Sequence, residues 1–404
     1  MIEALAKTGL RFSILRNYEG FPHSNSGRDI DFLIDPADLR KAIHTLQSLP
    51  GVRIVGYLER PSVAMVYLEG VRTTAGARCL EVDFDLSLSW KGLPFLPLSA
   101  VLEHAMPRHR GGVSFNIPAA EHEAVISLLA SLLVGGWVPE KYFPKAQQAF
   151  AADEAKVMAA LTPQFGFNAA KQLVDAVVEG SRCKVFGSIP SLRLALAVRS
   201  FWRRPLRSLL AVVRHYAAEF VLRFSARSLA TVGLAGGGRD TRSSIAASLL
   251  PMLRDAAAVV EKHDGLEGSN LHRKSSPPDS ELVSDPSNAD SVPRGVLLSM
   301  TSAAILLAGE WIALLRSRRN LTLRISDSDF QDMLINPQDY CYAGPRWFAR
   351  LIGKLMPSKS FWISVDRPTP PMHAEIVHAA ILDGLAERTS RVLKSRFQQR
   401  KPSN

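Results

Sequence analysis

The first hundred residues alternate short apolar runs with polar turns. LRFSIL and DIDFLI, joined by a Gly-, Asn- and Ser-rich connection within residues 10–34, predict two strands. From Pro36 the apolar positions fall on one helical stripe, and VRIVGYLE, AMVYLEGV and LEVDFDLSL predict three further strands. This pattern predicts an α+β unit that ends near Pro97, followed by helices over residues 118–178.

In the C-terminal part of the chain, predicted strands alternate with predicted helices. The apolar run LATVGLA predicts a buried strand, and the helix SSIAASLLPMLRDAAAVV follows it. LTLRIS and SFWISVD predict two more strands, separated by a helix around 347–355 and followed by a helix from His373. This alternation predicts an α/β domain with a parallel sheet. Residues 264–293, rich in Ser, Pro and Asp, predict a flexible loop.

One apolar segment is long enough to cross a bilayer. Residues 296–315 contain a single charge, Glu310, in twenty positions. The cost of placing Glu310 in lipid favours a buried helix over a membrane helix, although length alone permits either.

Length and charge narrow the class of protein. A chain of 404 residues predicts two or three domains. Lys and Arg exceed Asp and Glu by 49 to 38, which favours anionic partners. Cys79, Cys183 and Cys341 lie far apart without a CxxC pair. Neither a disulfide framework nor a zinc site is therefore expected, and a cytoplasmic location is the natural interpretation.

The excess of positive charge is concentrated in residues 192–230, which hold eight arginines and one acid, Glu219. Apolar residues lie between the arginines at helical spacing, a pattern typical of a helix on an anionic membrane surface or on nucleic acid. The alternative is a connecting helix packed on a neighbouring domain. Few aromatic residues are available for base stacking, so no sequence-specific nucleic-acid binding is expected.

Carboxylates recur on one side of two predicted strands. Asp29 and Asp31 alternate with the apolar residues of DIDFLI, and Asp83 and Asp85 do so in LEVDFDLSL. Like charges on one face repel each other, and a divalent cation would allow them to stay ionised. Three such carboxylates are compatible with a two-metal site for phosphoryl chemistry. A solvated strand face is the alternative interpretation.

The segment ILRNYEGFPHSNSGRDIDFLID, together with VDFDLSLSWKGLPFL, resembles nucleotidyltransferase-like domains of the polymerase-beta superfamily. The resemblance implies that Asp29, Asp31 and Asp83 bind Mg²⁺ and the phosphates of a nucleoside triphosphate, with Asp85 as a rival for the third position. It also implies a hydroxyl acceptor. Arg16 and Asn17 stand where the family has Gly-Ser, a departure that affects the triphosphate-binding loop.

A second motif follows LATVGLA. Residues 236–244, GGGRDTRSS, occupy the position of a phosphate-binding loop, but Thr241 replaces its last glycine and Arg242 its lysine. The candidate nucleotide-binding residues are Gly236, Gly238, Arg242, Ser243, Ser244 and Asp327.

Patches of residues 229–385 resemble the thymidylate-kinase-like family linked to polysaccharide gene clusters, including ISDSDFQDMLINPQDYCYAGPRWFARLIGKLMP and FWISVDRPTPP. Ser328 occupies the position of the family's arginine, and the Arg-Lys of the lid is missing. Because phosphoryl transfer depends on positioned cations, the resemblance implies a degenerate kinase.

The sequence therefore predicts a nucleotidyltransferase-like α+β domain with a helical extension (1–180), a basic helical linker (181–228) and a degenerate kinase-like α/β domain (229–404). The expected function is metal-dependent nucleotidyl transfer to a hydroxyl, in a polysaccharide or sugar context that the resemblance alone implies. A non-catalytic adaptor, with both domains degenerate, and a surviving nucleotide kinase are the alternatives.

Overall fold

The computed structural model describes residues 1–21, 29–71, 79–224, 229–236, 239–263, parts of 297–312, 321–326, 344–355, 359–365 and 370–398. The chain divides into two compact units. The first comprises Met1–Leu222 with Thr389–Asn404, and the second comprises Arg223–Arg388. The first unit contains a mixed sheet and the second a separate, all-parallel sheet.

The mixed sheet has the strand order β1-β2-β5-β4-β3. Its strands are β1 (Phe12–Ile14), β2 (Asp29–Ile34), β3 (Arg53–Glu59), β4 (Val63–Glu69) and β5 (Cys79–Asp85). β2 pairs with β5 in parallel, and the other neighbours are antiparallel. The five predicted strands are thus confirmed, and β2 coincides with the run DIDFLI.

One face of this sheet carries its main apolar core. Phe32 of β2 and Phe84 of β5 are fully buried there and lie 5.6 Å apart, ring centre to ring centre. Helices α1 (Ile2–Lys7) and α2 (Leu39–Gln47) contribute buried residues to this core. Leu393 from the last helix, α13 (Pro370–Gln398), is also buried in it, and Arg396 forms an ion pair with Glu59.

The opposite side of β2 meets a second, helical core. Leu33 is buried there with Leu129, Leu132, Phe150 and other residues of the helical region. The elements of this part are β6 (Leu88–Trp90), β7 (Leu93–Leu96), α3 (Leu98–Glu103), β8 (Met106–Arg110), β9 (Val113–Ile117), α4 (Ala120–Leu129), a π-helical turn (Ala130–Gly135), α5 (Phe143–Ala152), α6 (Glu154–Phe165) and α7 (Phe167–Val178). Leu33 thus places the acidic side of β2 against the helices.

The basic region differs from the expected linker. Helices α8 (Arg182–Gly187), α9 (Ile189–Arg203) and α10 (Pro205–Phe224) continue the first unit up to Leu222. The reason is apolar burial, because Val185, Ile189, Leu192 and Leu196 belong to the helical core.

The second unit has the strand order β11-β12-β10-β13. Its described elements include β10 (Leu229–Ala235), α11 (Arg239–Leu253), β11 (Val259–His263), β12 (Thr322–Ser326), α12 (Arg346–Leu355) and β13 (Phe361–Ser364). The expected parallel sheet is present. The prediction that the helix continues through Val260 was wrong. The helix ends at Leu253, and Val259 and Val260 pair with β12 as a strand.

The apolar segment 296–315 is described only in part. Its described residues between Leu297 and Ile312 are helical, as predicted. The prediction that this helix is buried holds for Ala303 but not for Leu297 or Ile305, which are exposed. Among the described residues, no helix combines the length and the apolar character needed to cross a membrane. The predicted loop 264–293 lies outside the described residues.

Candidate functional site

Parallel pairing of β2 with β5 brings the predicted carboxylates together. Asp31 lies directly opposite Asp83 in the register, and Asp29 lies opposite Glu81. Since side chains alternate along a strand, Asp29, Asp31, Asp83 and Asp85 share one face of the sheet. The apolar residues between them, such as Phe32 and Phe84, point to the other face and are fully buried. Here these carboxylates, with Glu81, are called the acidic cluster.

Burial and neighbouring like charges disfavour ionisation in the acidic cluster. Asp31 is 3% exposed. Burial, followed by the charges of Glu81 and Asp31, raises the pKa of Asp83 to about 9. Burial and the charge of Asp31 raise the pKa of Asp85 to about 7, and burial also raises the pKa of Asp29. These carboxyls therefore resist ionisation in the absence of a cation.

The register separates the two rivals for the third position. Asp83 lies opposite Asp31, and both Asp31 and Asp29 raise its pKa. Asp85 lies opposite Leu33. Asp83 is therefore the better placed partner of the Asp29–Asp31 pair. Its Oδ1 atom is buried and has no hydrogen-bond partner among the described residues.

A cation from the preceding turn already contacts the cluster. Arg16 donates a hydrogen bond from Nε to Asp31 Oδ2. Burial would lower the pKa of Arg16, but the hydrogen bond and the charge of Asp31 outweigh it and raise the pKa. Asn17, next in sequence, adopts a left-handed conformation with φ 59°, which turns the chain away from β1. Arg16 and Asn17 stand where the nucleotidyltransferase-like domains that the sequence resembles have Gly-Ser.

Positive side chains from the helical part lie beside this turn. Lys141 donates to Asn17 Oδ1 at 3.1 Å, and Arg16 and Lys141 lie 5.6 and 5.2 Å from the centre of the Tyr142 ring. Lys145 contacts the buried carboxylate of Glu123 at 2.5 Å. Arg16, Lys141 and Lys145 are called the basic flank. Sequence reasoning identified only Arg16, because nothing local in KYFPK indicates that the fold returns to residues 16–19.

Glu123 links the turn to two helices. It is 7% exposed and accepts hydrogen bonds from the hydroxyl of Tyr18 (2.7 Å) and the ammonium of Lys145. Burial and the hydrogen bond with Glu123 raise the pKa of Tyr18. A small depression of about 50 Å³ between α4 and α5 adjoins this junction and is lined by Glu123, Tyr142, Lys145 and small residues of both helices. This volume is far below the roughly 300–1,000 Å³ of ligand pockets.

The acidic cluster has the right kind of ligand atoms for a divalent cation, but its side chains are not arranged around a metal site. Its donors are all carboxylate oxygens, the ligands that Mg²⁺ prefers, and Asp83 Oδ1 lacks a partner among the described residues. However, within the part of the chain that the structure describes, no group of three or more His, Cys, Asp or Glu side chains is arranged to hold a metal ion. Arg16 supplies a positive charge at Asp31 instead.

The second predicted site lies at the carboxyl end of β10. Gly236 has φ 78°, a conformation that favours glycine, and Arg242 donates to its carbonyl oxygen at 3.4 Å. Ser243 accepts a hydrogen bond from Lys262 of β11 at 2.8 Å. Thr241 and Ser244 are exposed at the start of α11. Gly238 and Asp327, also predicted to contact the nucleotide, lie outside the described residues.

The loop occupies a favourable place in its sheet. In the order β11-β12-β10-β13, the strand that follows β10 in sequence, β11, lies beyond β12. The strand that follows β12, β13, lies beyond β10, in the opposite direction. Ligands of open α/β sheets bind where the connections diverge in this way, at the carboxyl ends of the strands.

Both candidate sites therefore rest on the sequence resemblance and on local geometry. Comparison of the chain with family models, with curated proteins and with solved structures found no match to any of them.

Proposed function

We propose that the first unit is a metal-dependent nucleotidyltransferase that transfers a nucleoside monophosphate to a hydroxyl acceptor. The single observation that supports this best is the register of β2 and β5, with Asp31 opposite Asp83 and Asp29 on the same face. In the reaction, the acceptor oxygen bonds to the α-phosphorus, pyrophosphate leaves and the hydroxyl proton passes to a carboxylate of the cluster.

Asp29, Asp31 and Asp83 would hold Mg²⁺. When bound, the ion would neutralise phosphate charge and activate the hydroxyl. The basic flank has a complementary role, because Arg16 and Lys141 present positive charge beside the carboxylates, where phosphate oxygens would lie. Arg16 would exchange Asp31 for phosphate as the metal and nucleotide enter.

The second unit is proposed as a nucleotide-binding or scaffolding module without kinase activity. Arg242 points back to the carbonyl of Gly236, and Thr241 occupies the position of the motif's last glycine. The acceptor is proposed as a sugar or a small metabolite on the basis of the sequence resemblance alone.

A non-catalytic adaptor is the second candidate. The ion pair of Arg16 with Asp31 favours it, because a tethered guanidinium already neutralises the carboxylate at the centre of the cluster. In that case Arg16 would be a permanent substitute for the metal.

Calorimetric titration of the full chain with nucleoside triphosphates, with and without Mg²⁺, distinguishes the two candidates. Nucleotidyl transfer predicts Mg²⁺-dependent binding that Asp31→Asn weakens at least about tenfold, since it removes a charged ligand. Asp175→Asn, on the exposed surface of α7, is the matched control and should bind normally.

Arg16→Ala adds a second discriminating variant. If Arg16 leaves Asp31 for phosphate, the variant should bind Mn²⁺ alone more tightly but triphosphate more weakly. If metal and nucleotide fail to bind to any of these proteins, the adaptor is the correct interpretation.

A further inference from the structure

Helix α10 has two different faces. The face toward the body of the first unit consists of Ser208, Ala211, Val212 and His215, which are buried or half-buried. Gly92, in the β6–β7 turn, allows the helix to approach closely, because a Cβ there would lie 2.5 Å from the carbonyl oxygen of Ala211. Through this stripe α10 lies against the unit, with Val212 packed on the helical core.

The opposite face of α10 is apolar and exposed. Leu206 is 80% exposed and Leu210 is 67% exposed. Large apolar residues recur there at intervals of one to four, as expected for one broad helical face. This outer face of α10 comprises Leu206, Leu209, Leu210, Val213, Tyr216, Phe220 and Val221, all of which are exposed.

Helix α9 also exposes large apolar side chains. Its inner residues Leu192 and Leu196 are fully buried, whereas Leu194, Val198 and Trp202 are exposed, Trp202 to 88%. Large apolar side chains exposed in this number on two successive helices are typical of an interaction site.

The charges beside this surface have one sign. Arg204, Arg207 and Arg214 are exposed, while Glu219 is the single acid between Leu192 and Leu222. Two other arginines bind carbonyl groups of the unit: Arg193 donates to that of Leu133 at 2.7 Å and Arg203 to that of Pro163 at 2.7 Å. By helical geometry, Arg207 and Arg214 flank the outer face of α10.

We propose that the exposed faces of α9 and α10 bind the surface of an anionic lipid bilayer. The apolar side chains would enter the boundary between headgroups and acyl chains, and the flanking arginines would contact lipid phosphates. Arg207, Arg214 and Glu219 lie within α10, so the helix lies along the surface rather than across the bilayer.

Charge argues against a second copy of the chain as the occupant. A two-fold interface places the same patch on both partners, so a surface bordered by Arg204, Arg207 and Arg214 would meet another surface of the same positive charge. An anionic bilayer provides both an apolar phase and negative charge, and thus complements the whole surface.

The test is cosedimentation of the full chain with vesicles of phosphatidylcholine alone and of phosphatidylcholine mixed with phosphatidylglycerol. We expect binding to the mixed vesicles to be at least about tenfold tighter and to weaken with salt. Leu206→Glu/Leu210→Glu should abolish it, and these substitutions should not affect folding because both side chains are exposed.

Arg207→Glu/Arg214→Glu should remove the preference for anionic lipid. The matched control is Arg40→Glu/Arg110→Glu, which makes the same change in charge at exposed positions outside α9 and α10 and should bind normally. No binding by the wild-type chain would overturn the proposal, as would binding that both double variants retain. So would a concentration-dependent dimer that Leu206→Glu/Leu210→Glu abolishes. Nucleotide binding by the same variants separates this proposal from the proposed catalytic activity.

Discussion

Asp83 combines burial, a neighbouring like charge and an oxygen without a hydrogen-bond partner among the described residues. Such a group is unfavourable for folding when it is ionised, because the carboxylate loses hydration without gaining a cation. Native proteins tolerate such groups where function requires them, and a cluster of this kind is therefore more informative than the isolated Asp-x-Asp pattern.

In the absence of divalent cations, we expect stability to decrease as pH rises. The pKa of Asp83 is about 9 in the folded chain, whereas an unperturbed Asp has a pKa of about 3.9. The folded state therefore binds more protons in this interval, and stability is lost as pH rises from about 4 through about 9. Asp85, with a pKa of about 7, contributes in the same direction.

Asp83→Asn should flatten this dependence, which thermal unfolding in EDTA would measure. The variant should have the higher melting temperature at about pH 8 and show little gain at about pH 4, where Asp83 is protonated in both states. Asp175→Asn should follow the wild-type curve. Parallel curves for Asp83→Asn and wild type would contradict the assignment.

At the scale of elements, one buried carboxylate joins three segments of the chain. Glu123 of α4 accepts from Tyr18 of the turn after β1 and from Lys145 of α5. This junction sets the position of the basic flank relative to the acidic cluster. Its energetic importance comes from burial, since exposed ion pairs contribute little.

We expect Lys145→Met to destabilise the first unit by about 1–3 kcal/mol, because the buried carboxylate of Glu123 loses its cation. Tyr18→Phe should cost about 0.5–1.5 kcal/mol, the value of one hydrogen bond. Urea unfolding measures both. Lys171→Met removes the exposed pairs with Glu154 and Asp175 and should cost less than about 1 kcal/mol. If Lys145→Met and Lys171→Met lowered the free energy of unfolding equally, the buried junction would contribute no more to stability than an exposed ion pair.

At the scale of the whole molecule, the two units have different architectures. The mixed sheet places its candidate site on a strand face, whereas the parallel sheet places a loop at the carboxyl ends of its strands. Chemistry at one site is therefore testable separately from chemistry at the other.

We expect the chain to show no phosphoryl transfer from ATP to thymidylate or to other nucleoside monophosphates. In the kinase-like motifs that the sequence resembles, the positions of Thr241, Arg242 and Ser328 hold residues that position or neutralise phosphate, and such transfer depends on both effects. ADP formation is the measurement, with Arg242→Ala as the comparison. Turnover above background that disappears in Arg242→Ala would contradict the prediction. Restoring Gly and Lys at positions 241 and 242 should not produce activity, since Ser328 remains.

Local patterns in the sequence determined the elements and their faces. DIDFLI and LATVGLA coincide with β2 and β10, and the alternation around Asp29, Asp31 and Asp83 correctly separated the apolar face from the acidic face, although the acidic face is covered as well, with Asp31 3% exposed. These features depend on the two-residue period of a strand, which neighbouring residues alone define. The end of α11 was misread because Val259 and Val260 suit a helix or a strand until a partner strand is known.

Only the tertiary structure decided which elements meet. The parallel register that sets Asp31 opposite Asp83 depends on the whole sheet, and the contact between Lys141 and Asn17 joins residues 124 positions apart. The sequence predicted that α9 and α10 are basic and amphipathic, but their arrangement on the first unit decided which apolar side chains were buried and which were left exposed. The physical reason is that helical periodicity defines the faces of a helix, whereas competition for buried apolar surface over the whole chain selects the face that packs.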